Sequence, residues 1–392
     1  MQLDYSGWVD RRIVEHRIDV PLGEPLDEDG LEQQLTELRG LNYFGMMHYD
    51  LEPGPEASGV SIDIDEPRHG RTNLQGGGSL RTDFGGDSTF AILARHQWLA
   101  LNRRAAEWVN TIQIGDRAFY SSEFHQPIDL GLRYYVRPRL EVVRLNQSLW
   151  LDGTRVAEYR VDAQEAAMRF GRFLGGWGDV HAAVFRGDEK GEPRIGISTL
   201  PSFDEDTGGV RAGFDIDTRD LSIFATRGTD LRLEVERDLE AFGATEDLTA
   251  ASARLELFFS TGRSTFSPRI EATSNISGTP NITTAALVGG FQRLSGLGDN
   301  ELIGEDGGVV GVDYYYEWFS FGQGPFGGKV FAGMTLESGS TYLEGDPITW
   351  SSLRSGAALW VGAATSLGPI YLGWGWTDPD RNRAYLIIGD RF

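Results

Sequence analysis

The sequence contains no cysteine among its 392 residues, which excludes disulfides and thiolate metal sites. Positive charge is also scarce, because 36 Lys and Arg face 58 Asp and Glu, and the formal net charge is −22. We expect no nucleic-acid partner, since phosphate binding requires a basic surface. No run approaches the roughly 18 consecutive apolar residues of a transmembrane helix, so a helical membrane span is excluded.

Proline is sparse, whereas glycine and aromatic residues are abundant. The chain has 15 prolines beside 51 glycines, 10 Trp, 13 Tyr and 21 Phe, and this glycine content is well above the usual ~7%. Such a composition predicts many strands joined by tight turns. Residues 1–6 show no signal-peptide pattern, so a cytoplasmic protein and a natural start upstream of Met1 are the alternatives.

The first 66 residues contain the only clear helical pattern. Apolar residues at i, i+4 and i+7 predict a helix that is capped by Asp27 and ends at Gly40. Strands are predicted over 12–20, 46–51 and 60–64, with a short helical turn over 41–44. The sequence therefore predicts a small module of helices and strands, with a core of Leu22, Leu31, Leu35, Leu38 and Phe44.

From about residue 71 the pattern becomes strict alternation of apolar and polar residues. Val210, Ala212 and Phe214 alternate with Arg211, Gly213 and Asp215, which is the period of a β-strand. Roughly 14 to 17 such segments of about 9–13 residues follow one another with hairpin-like spacing. The C-terminal four-fifths of the chain is therefore predicted to be all β.

Alternation alone does not show which face of the sheet is shielded from water, and several stacked soluble β-sandwiches remain an alternative. A barrel of so many strands is too wide for side chains to fill, so its charged face belongs inside. The apolar rows match tilted membrane strands, and tryptophans near strand ends suit interfacial girdles. These tryptophans are Trp98, Trp108, Trp150, Trp318, Trp350, Trp360 and Trp376. A transmembrane barrel, which satisfies every backbone group in lipid, is favoured.

Motifs in the last hundred residues resemble a known family. The sequence GGFQRLSGL at 289–297 resembles the GGF-x-RLSGY stretch of the outer-membrane barrels that follow a patatin domain in PlpD-like proteins, within the superfamily of BamA, TamA and FhaC. Glu337 in LESG is similar to that superfamily's acidic-x-Gly strand motif. Gly368 and Pro369 in SLGPIYLGWG are similar to its PLGP hairpin.

The C-terminus and the early barrel extend this resemblance. The closing residues resemble the terminal recognition strand, which ends on Phe, and its candidate residues are Leu386, Ile388, Gly389 and Phe392. Segments 95–107 and 119–127 are similar to early-barrel stretches of the PlpD-like subgroup, with His125 where Tyr is usual. Leu26-Asp27 followed by Leu31 is similar to the helix start of a POTRA domain.

The resemblance implies a mainly β fold. It would consist of a sixteen-stranded antiparallel transmembrane β-barrel over 69–392 and one small N-terminal α+β POTRA domain over 1–68. The implied location is the bacterial outer membrane, with the POTRA domain in the periplasm. The implied partners are outer-membrane lipid, a periplasmic polypeptide passenger or client, and the barrel assembly machinery during biogenesis.

The resemblance also implies a loop near 291–308 that folds into the lumen. The wider superfamily carries an arginine directly before the loop glycine, whereas here Ser295 precedes Gly296 and Arg293 lies two residues earlier. Since residues i and i+2 of an extended segment face the same way, Arg293 is expected to reach an acidic residue on the wall. We predict Glu337 as its partner; the alternative is that Arg293 merely lines a wet channel.

Enzyme motifs are missing from the sequence. PlpD-like proteins normally carry an upstream patatin lipase with a G-x-S-x-G motif, which does not occur here. Asp306-Gly307-Gly308 matches the lipase dyad pattern by chance, and the six histidines form no H-x-x-x-H pair. We therefore expect no enzyme activity, cofactor or metal. His96 and His125 are interpreted as polar lining.

Three functions remain open at this stage. The first is an outer-membrane translocator or anchor that delivers or displays an upstream patatin-like lipase passenger, absent from this chain. The alternative is a stand-alone outer-membrane protein assembly or insertion factor of the BamA/TamA type, acting at the seam between the first and last barrel strands. A passive pore is the third, and a plugging loop argues against it.

Overall fold

The structure is a computed structural model that describes residues 2–21, 23–52, 59–68, 70–86, 88–151, 153–196, 200–322, 327–347, 349–366 and 368–389. Its N-terminal part contains strands β1 (Gln2–Tyr5), β2 (Met47–Glu52) and β3 (Gly59–Ile64) and helices α1 (Arg11–Arg17) and α2 (Glu28–Gly40). The sheet has the order β1-β3-β2, with β1 parallel and β2 antiparallel to β3. Neither helix is long and apolar enough to cross a bilayer. We call residues 2–68 the N-terminal module.

Helix α2 follows the predicted pattern. The Asp27 side chain accepts a hydrogen bond from the Gly30 amide, and Leu31, Leu35 and Leu38 are at most 2% exposed. Its C-terminus differs from the prediction, because Gly40 is the last helical residue and the left-handed residue is Asn42, with φ 59°. The predicted helical turn over 41–44 is not helical. Phe44 is buried as expected, and Leu22 lies outside the described residues.

The strand predicted over 12–20 is wrong, because this segment begins as helix α1. The Asp10 side chain accepts from the Arg12 amide at 3.0 Å, which caps the helix. Consecutive Ile13 and Val14 are both buried in the module core. These β-branched residues favour a strand in the sequence, but tertiary burial and the helix cap override this weak propensity. Strand β1 was not anticipated.

Sixteen strands close into one antiparallel barrel, which confirms the predicted fold class. They are β4 (Thr72–Thr82), β5 (Ser88–Trp98), β6 (Glu107–Gly115), β7 (Arg117–Pro127), β8 (Tyr134–Leu151), β9 (Thr154–Phe173), β10 (Gly178–Ile195), β11 (Phe203–Asp217), β12 (Gly228–Asp238), β13 (Leu248–Thr261), β14 (Ser264–Ser277), β17 (Asp306–Phe321), β18 (Gly328–Tyr342), β19 (Arg354–Thr365), β20 (Gly368–Thr377) and β21 (Arg381–Ile388). Each pairs with its neighbours along the chain, except that the connection from β14 to β17 contains a separate hairpin of β15 (Ala286–Val288) and β16 (Leu302–Gly304). Closure joins β21 to β4.

The barrel is polar inside and apolar outside. On β11, Arg211 faces inward and bonds Glu165 and Glu236, whereas Val210 faces outward with 37% of its surface exposed. Strands β8 to β11 have 18, 20, 18 and 15 residues, so they exceed the predicted length. Two proposed girdle residues are misplaced. Trp360 is 4% exposed and faces the lumen, and the Trp150 ring also points inward, where Arg383 lies 5.3 Å from its centroid.

The N-terminal module docks on two turns at one end of the barrel, which we call the module end. The Asp10 amide donates to the Arg103 carbonyl at 2.7 Å, and the Arg17 guanidinium donates to the Gly131 carbonyl at 2.5 and 3.1 Å. Tyr43 donates to the Glu107 carboxylate. Burial, and then this carboxylate, raises the pKa of Tyr43 well above its ordinary value. These contacts fix the module against the β5–β6 and β7–β8 turns.

Candidate functional site: the lumen loop and the seam

The segment 278–305, which we call the lumen loop, folds back into the barrel from the end opposite the module, the far end. Its β15–β16 hairpin lies inside the wall, and Leu294 and Leu297 are fully buried with Val288 and Val309. The predicted loop region is therefore internal, but its predicted end at 308 is not, because β17 begins at Asp306 and places Gly307 and Gly308 in the wall.

Glu337 holds the lumen loop through a backbone amide. Its carboxylate accepts a hydrogen bond from the Ser295 amide, and its side chain is completely buried. Arg269 lies beside it, with Nη2 3.4 Å from Glu337 and Nε 2.9 Å from Asp313. A buried carboxylate is stable as an ion only when it is paired and hydrogen-bonded. Glu337 meets both conditions because it binds one loop amide and one wall guanidinium.

The predicted contact between Arg293 and Glu337 is wrong. Arg293 instead lies 2.7 Å from Glu271 and donates to the Leu287 carbonyl at 2.5 Å. The prediction assumed an extended segment, but Gln292 and Leu294 on either side of Arg293 have φ values of 60° and 72°. Two left-handed residues turn the chain, so the rule that i and i+2 face the same way does not apply.

Two further backbone contacts hold the loop against the last strands. The Gly296 amide donates to Thr377 Oγ1 at 2.8 Å, and the Tyr385 hydroxyl donates to the Leu297 carbonyl at 2.8 Å. Gly375 leaves room for this approach, because an added Cβ there would lie 2.3 Å from Ser295. The loop backbone is thus bonded to β18, β20 and β21, which form the wall next to the seam.

The seam between β21 and β4 has a short ladder. Within the described residues, three pairs join the strands, namely Leu386 with Thr82, Ile387 with Arg81 and Ile388 with Leu80, whereas eight pairs join β21 to β20. Because Thr82 ends β4, residues 381–385 of β21 extend past it. That part of β21 has no β4 residue opposite.

Gly389 contacts the PLGP-like hairpin next to the module end of the ladder. The Gly389 amide donates to the Pro369 carbonyl at 2.8 Å. Gly389 has φ 78°, and an added Cβ would lie 1.9 Å from the Gly78 carbonyl oxygen, so only glycine fits there. Gly368 is also left-handed, with φ 98°. Phe392 lies outside the described residues.

Side-chain ion pairs bridge the seam where the ladder stops. Arg383 of β21 bonds Asp83, which follows β4. The lumen loop joins both edges, because Asp299 lies 2.7 Å from Arg81 and Glu301 lies 2.9 Å from Arg381. Arg383 also lies 3.8 Å from Glu301. We call Arg81, Asp83, Asp299, Glu301, Arg381 and Arg383 the seam network. Sequence reasoning missed it, although Arg81/Asp83 and Arg381/Arg383 carry the i, i+2 spacing that places two charges on one strand face.

One group could offer three ligands to a metal ion. Asp179, His181 and Asp215 have ligand atoms within 4.8 Å of one another. The Tyr135 hydroxyl donates to Asp179 at 2.9 Å, and His181 Nδ1 lies 2.9 Å from the same carboxylate. Asp179 Oδ2 and His181 Nε2 are buried without a hydrogen-bond partner among the described residues.

The fold places the chain among sixteen-stranded barrels of known structure. It is similar to BamA from Haemophilus ducreyi lacking POTRA domains 1–3, with a TM-score of 0.73 at 8% identity, covering 99% of this chain and 84% of that one. It is also similar to CdiB from Escherichia coli (TM-score 0.64, 14% identity, 99% and 75% covered) and CdiB from Acinetobacter baumannii (0.62, 13%, 99% and 73%). No protein-family model and no curated sequence matches the chain. At these identities the likeness shows the fold.

Proposed function

We propose that this chain is an outer-membrane barrel that moves polypeptide through or into the membrane, with the N-terminal module as a periplasmic POTRA domain. The observation that carries the proposal is the lumen loop, which is bonded to both edges of a short seam. The fold shared with BamA and CdiB supports the same class of function. The POTRA assignment rests on the motif resemblance at Leu26-Asp27 and Leu31 and on the docking of the module against two barrel turns.

The outer surface supports placement in a membrane. Outward-facing Leu359 and Leu372 are 63% and 60% exposed, and similar residues occur on the other strands around the wall. Soluble monomers rarely expose contiguous apolar patches above a few hundred Å². A closed barrel with an apolar exterior and a charged lumen satisfies both its backbone and its side chains in lipid.

The geometry supports coupling between the lumen and the seam. For the β4 and β21 edges to separate, at least the three ladder pairs of the described residues and the Arg383–Asp83 contact must break. The loop must also release either Arg81 on the β4 edge or its partners Arg381, Arg383 and Tyr385 on the β21 edge. A polypeptide that displaces the loop would therefore weaken the seam, which suits a barrel that handles polypeptide better than a passive pore.

Within this class, two roles are supported by different observations. The PlpD-like motifs, above all GGFQRLSGL, favour a translocator or anchor that delivers or displays a patatin-like lipase passenger. The shared fold with BamA favours the alternative, an outer-membrane protein assembly or insertion factor. Outer-membrane lipid and a periplasmic passenger or client are the partners in both cases, and the barrel assembly machinery is a partner during biogenesis.

A reversible seam lock tests the proposed function. Because the chain has no cysteine, Thr82→Cys with Leu386→Cys places one new disulfide between paired residues of β4 and β21. We expect the oxidised variant to lose delivery of an attached patatin domain to the cell surface, or insertion of a client barrel into liposomes, and reductant to restore it. The matched control, Leu372→Cys with Val361→Cys, links paired residues away from the seam and should remain active. Full activity of the oxidised seam variant would contradict the proposal.

The same two assays separate the two roles. Surface exposure of an attached patatin domain, measured by added protease, supports passenger delivery. Insertion of an unattached client barrel supports an assembly factor. A chain that performs neither reaction is not a polypeptide-handling barrel.

A further inference from the structure

The turn between β11 and β12 enters the lumen from the module end. It spans 218–227, and its Phe224 is 8% exposed. The neighbouring turn at the same end instead presents Trp177 with 46% of its surface exposed. Because successive barrel strands alternate in direction, the 218–227 turn approaches from the end opposite to the entry of the lumen loop.

The wall of the barrel forms a fitted pocket for the Phe224 ring. The ring stacks on Phe331 with 4.3 Å between centroids and an interplanar angle of 18°, and it lies 5.1 Å from the Tyr371 ring. Tyr315 and Trp360 complete the pocket. Gly362 makes room for the ring, because an added Cβ there would lie 2.5 Å from Phe224 Cζ.

The turn is built to present this ring. Phe224 has φ 50°, a conformation that a bulky residue keeps only when its surroundings hold it there. The Asp220 carboxylate accepts from the Thr226 amide at 2.7 Å and from the Thr226 hydroxyl at 2.5 Å. The Tyr315 hydroxyl donates to the Ala225 carbonyl. The turn is therefore ordered by its own bonds and by one bond to the wall.

The lumen loop reaches the same aromatic layer from the far end. The Phe291 ring lies 5.7 Å from Tyr371 and 5.2 Å from Tyr385. Tyr371 therefore contacts both incoming rings. A sixteen-stranded barrel is wide enough to leave an aqueous channel, and along β17 to β21 this channel is occupied by aromatic side chains from the wall and from both connections.

We propose that the 218–227 turn is a second plug of the lumen, with Phe224 as its latch. The plug and the lumen loop close the barrel from opposite ends and stabilise one another through Tyr371, so both must move before a wide substrate passes. This inference goes beyond polypeptide transport, because it assigns a gating role to a turn at the module end. It requires only that the chain forms a membrane barrel.

Single-channel recording in planar bilayers tests the plug. We expect Phe224→Ala to shift the conductance of the full chain upward. Gly362→Ala should do the same, because its new methyl group displaces the ring without altering the turn. The control is Leu221→Ala, in the same turn at 49% exposure, which should leave conductance unchanged. Phe224→Ala combined with Phe291→Ala should give a shift that differs from the sum of the single shifts, since residues that share a contact are coupled.

A labelling experiment in detergent does not depend on conduction. In the cysteine-free chain, Leu221→Cys should react rapidly with a membrane-impermeant maleimide, whereas Ala225→Cys should react slowly, because Ala225 is 3% exposed beside the intact Phe224 ring. Adding Gly362→Ala, which displaces that ring, should accelerate only the labelling of Ala225→Cys. Equal labelling rates, or unchanged conductance in both Phe224→Ala and Gly362→Ala, would overturn the plug. Failure of the transport role would instead appear as full activity of the oxidised Thr82→Cys/Leu386→Cys variant.

Discussion

At the scale of single residues, the contacts of the lumen loop show which charges matter. Glu337 is completely buried and accepts from a loop amide. The side chains of Arg293 and Glu271 are 32% and 38% exposed. Exposed pairs contribute about 0–1 kcal/mol, whereas leaving a buried donor without a partner costs about 1–3 kcal/mol. The carboxylate on the wall should therefore dominate.

We predict that Glu337→Ala destabilises the barrel by about 1–3 kcal/mol, because it leaves the Ser295 amide without its acceptor. Glu337→Gln, which keeps an acceptor oxygen, should recover part of this loss. The measurement is the midpoint of heat-induced unfolding in detergent, followed by the gel shift of the folded barrel. Arg293→Ala is the comparison and should change the midpoint little; a larger effect of Arg293→Ala than of Glu337→Ala would refute this ranking.

The same residues show what the sequence allowed at this scale. The sequence led to the prediction that Glu337 contacts the lumen loop at Arg293, whereas the contact is with the Ser295 amide. The partner of Glu337 could not be predicted, because it depends on the left-handed conformation of Gln292 and Leu294. A non-glycine residue adopts that conformation only in a particular tertiary setting.

At the scale of elements, side chains join the two edges of the seam where β21 extends past the end of β4. The β21 edge extends past the end of β4, and the seam network spans that gap. These pairs are only partly exposed, with side-chain exposures from 4% to 37%. Salt screens such pairs less than fully exposed ones, but it does screen them.

We predict that Asp299→Asn with Glu301→Gln lowers the unfolding midpoint at low salt and makes it less dependent on salt. The wild-type midpoint should fall between ~0.05 M and ~1 M NaCl, because screening weakens the seam network. The measurement is the unfolding midpoint across this salt series. As a control, Lys190→Gln removes an exposed pair with Asp204 and should keep the wild-type salt dependence. The same salt slope in the double variant and the wild type would show that the network does not hold the seam.

Secondary-structure prediction succeeded where the spacing of apolar residues had one clear period, and it failed where two local sequence features favoured different structures. The alternating segments gave the barrel strands because their period is unambiguous over many residues. The Arg11–Arg17 helix was missed because Ile13 and Val14 favour strands, while the deciding feature was a cap at Asp10. The sequence did not indicate that the 218–227 turn enters the lumen. A phenylalanine in a turn is not distinctive, and only the structure shows that Phe224 packs against Gly362 and Phe331.

At the scale of the whole molecule, the barrel is inverted relative to a soluble protein. Charged residues such as Arg211 and Arg269 face the interior, and leucines face outward. Barrel width and the apolar, aromatic strand pattern predicted this orientation, and the inward charges together with the outward Leu359 and Leu372 agree with it. The alternating pattern alone could not have shown this orientation, because the same sequence fits a strand whose apolar residues face inward or outward.

We predict that Leu359→Arg impairs membrane assembly, because an arginine on the lipid face near the bilayer midplane costs about 2–4 kcal/mol. Leu343→Arg is the matched control: Leu343 is 60% exposed and Leu359 63%, but Leu343 follows β18 at the far end, outside the apolar band. The measurement is the folded fraction in membranes. Equal tolerance of the two substitutions would argue for a water-exposed wall.

The closing contact between Arg383 and Asp83 joins residues 300 positions apart in the chain. During synthesis, therefore, β4 pairs with β5 early, but its seam edge has no partner until β21 has been made. For that whole interval the nascent sheet has two free edges, which can pair with any other strand, and contacts so distant in sequence form slowly. Until β21 is made, these two free edges therefore expose the barrel to aggregation, a hazard that closure removes.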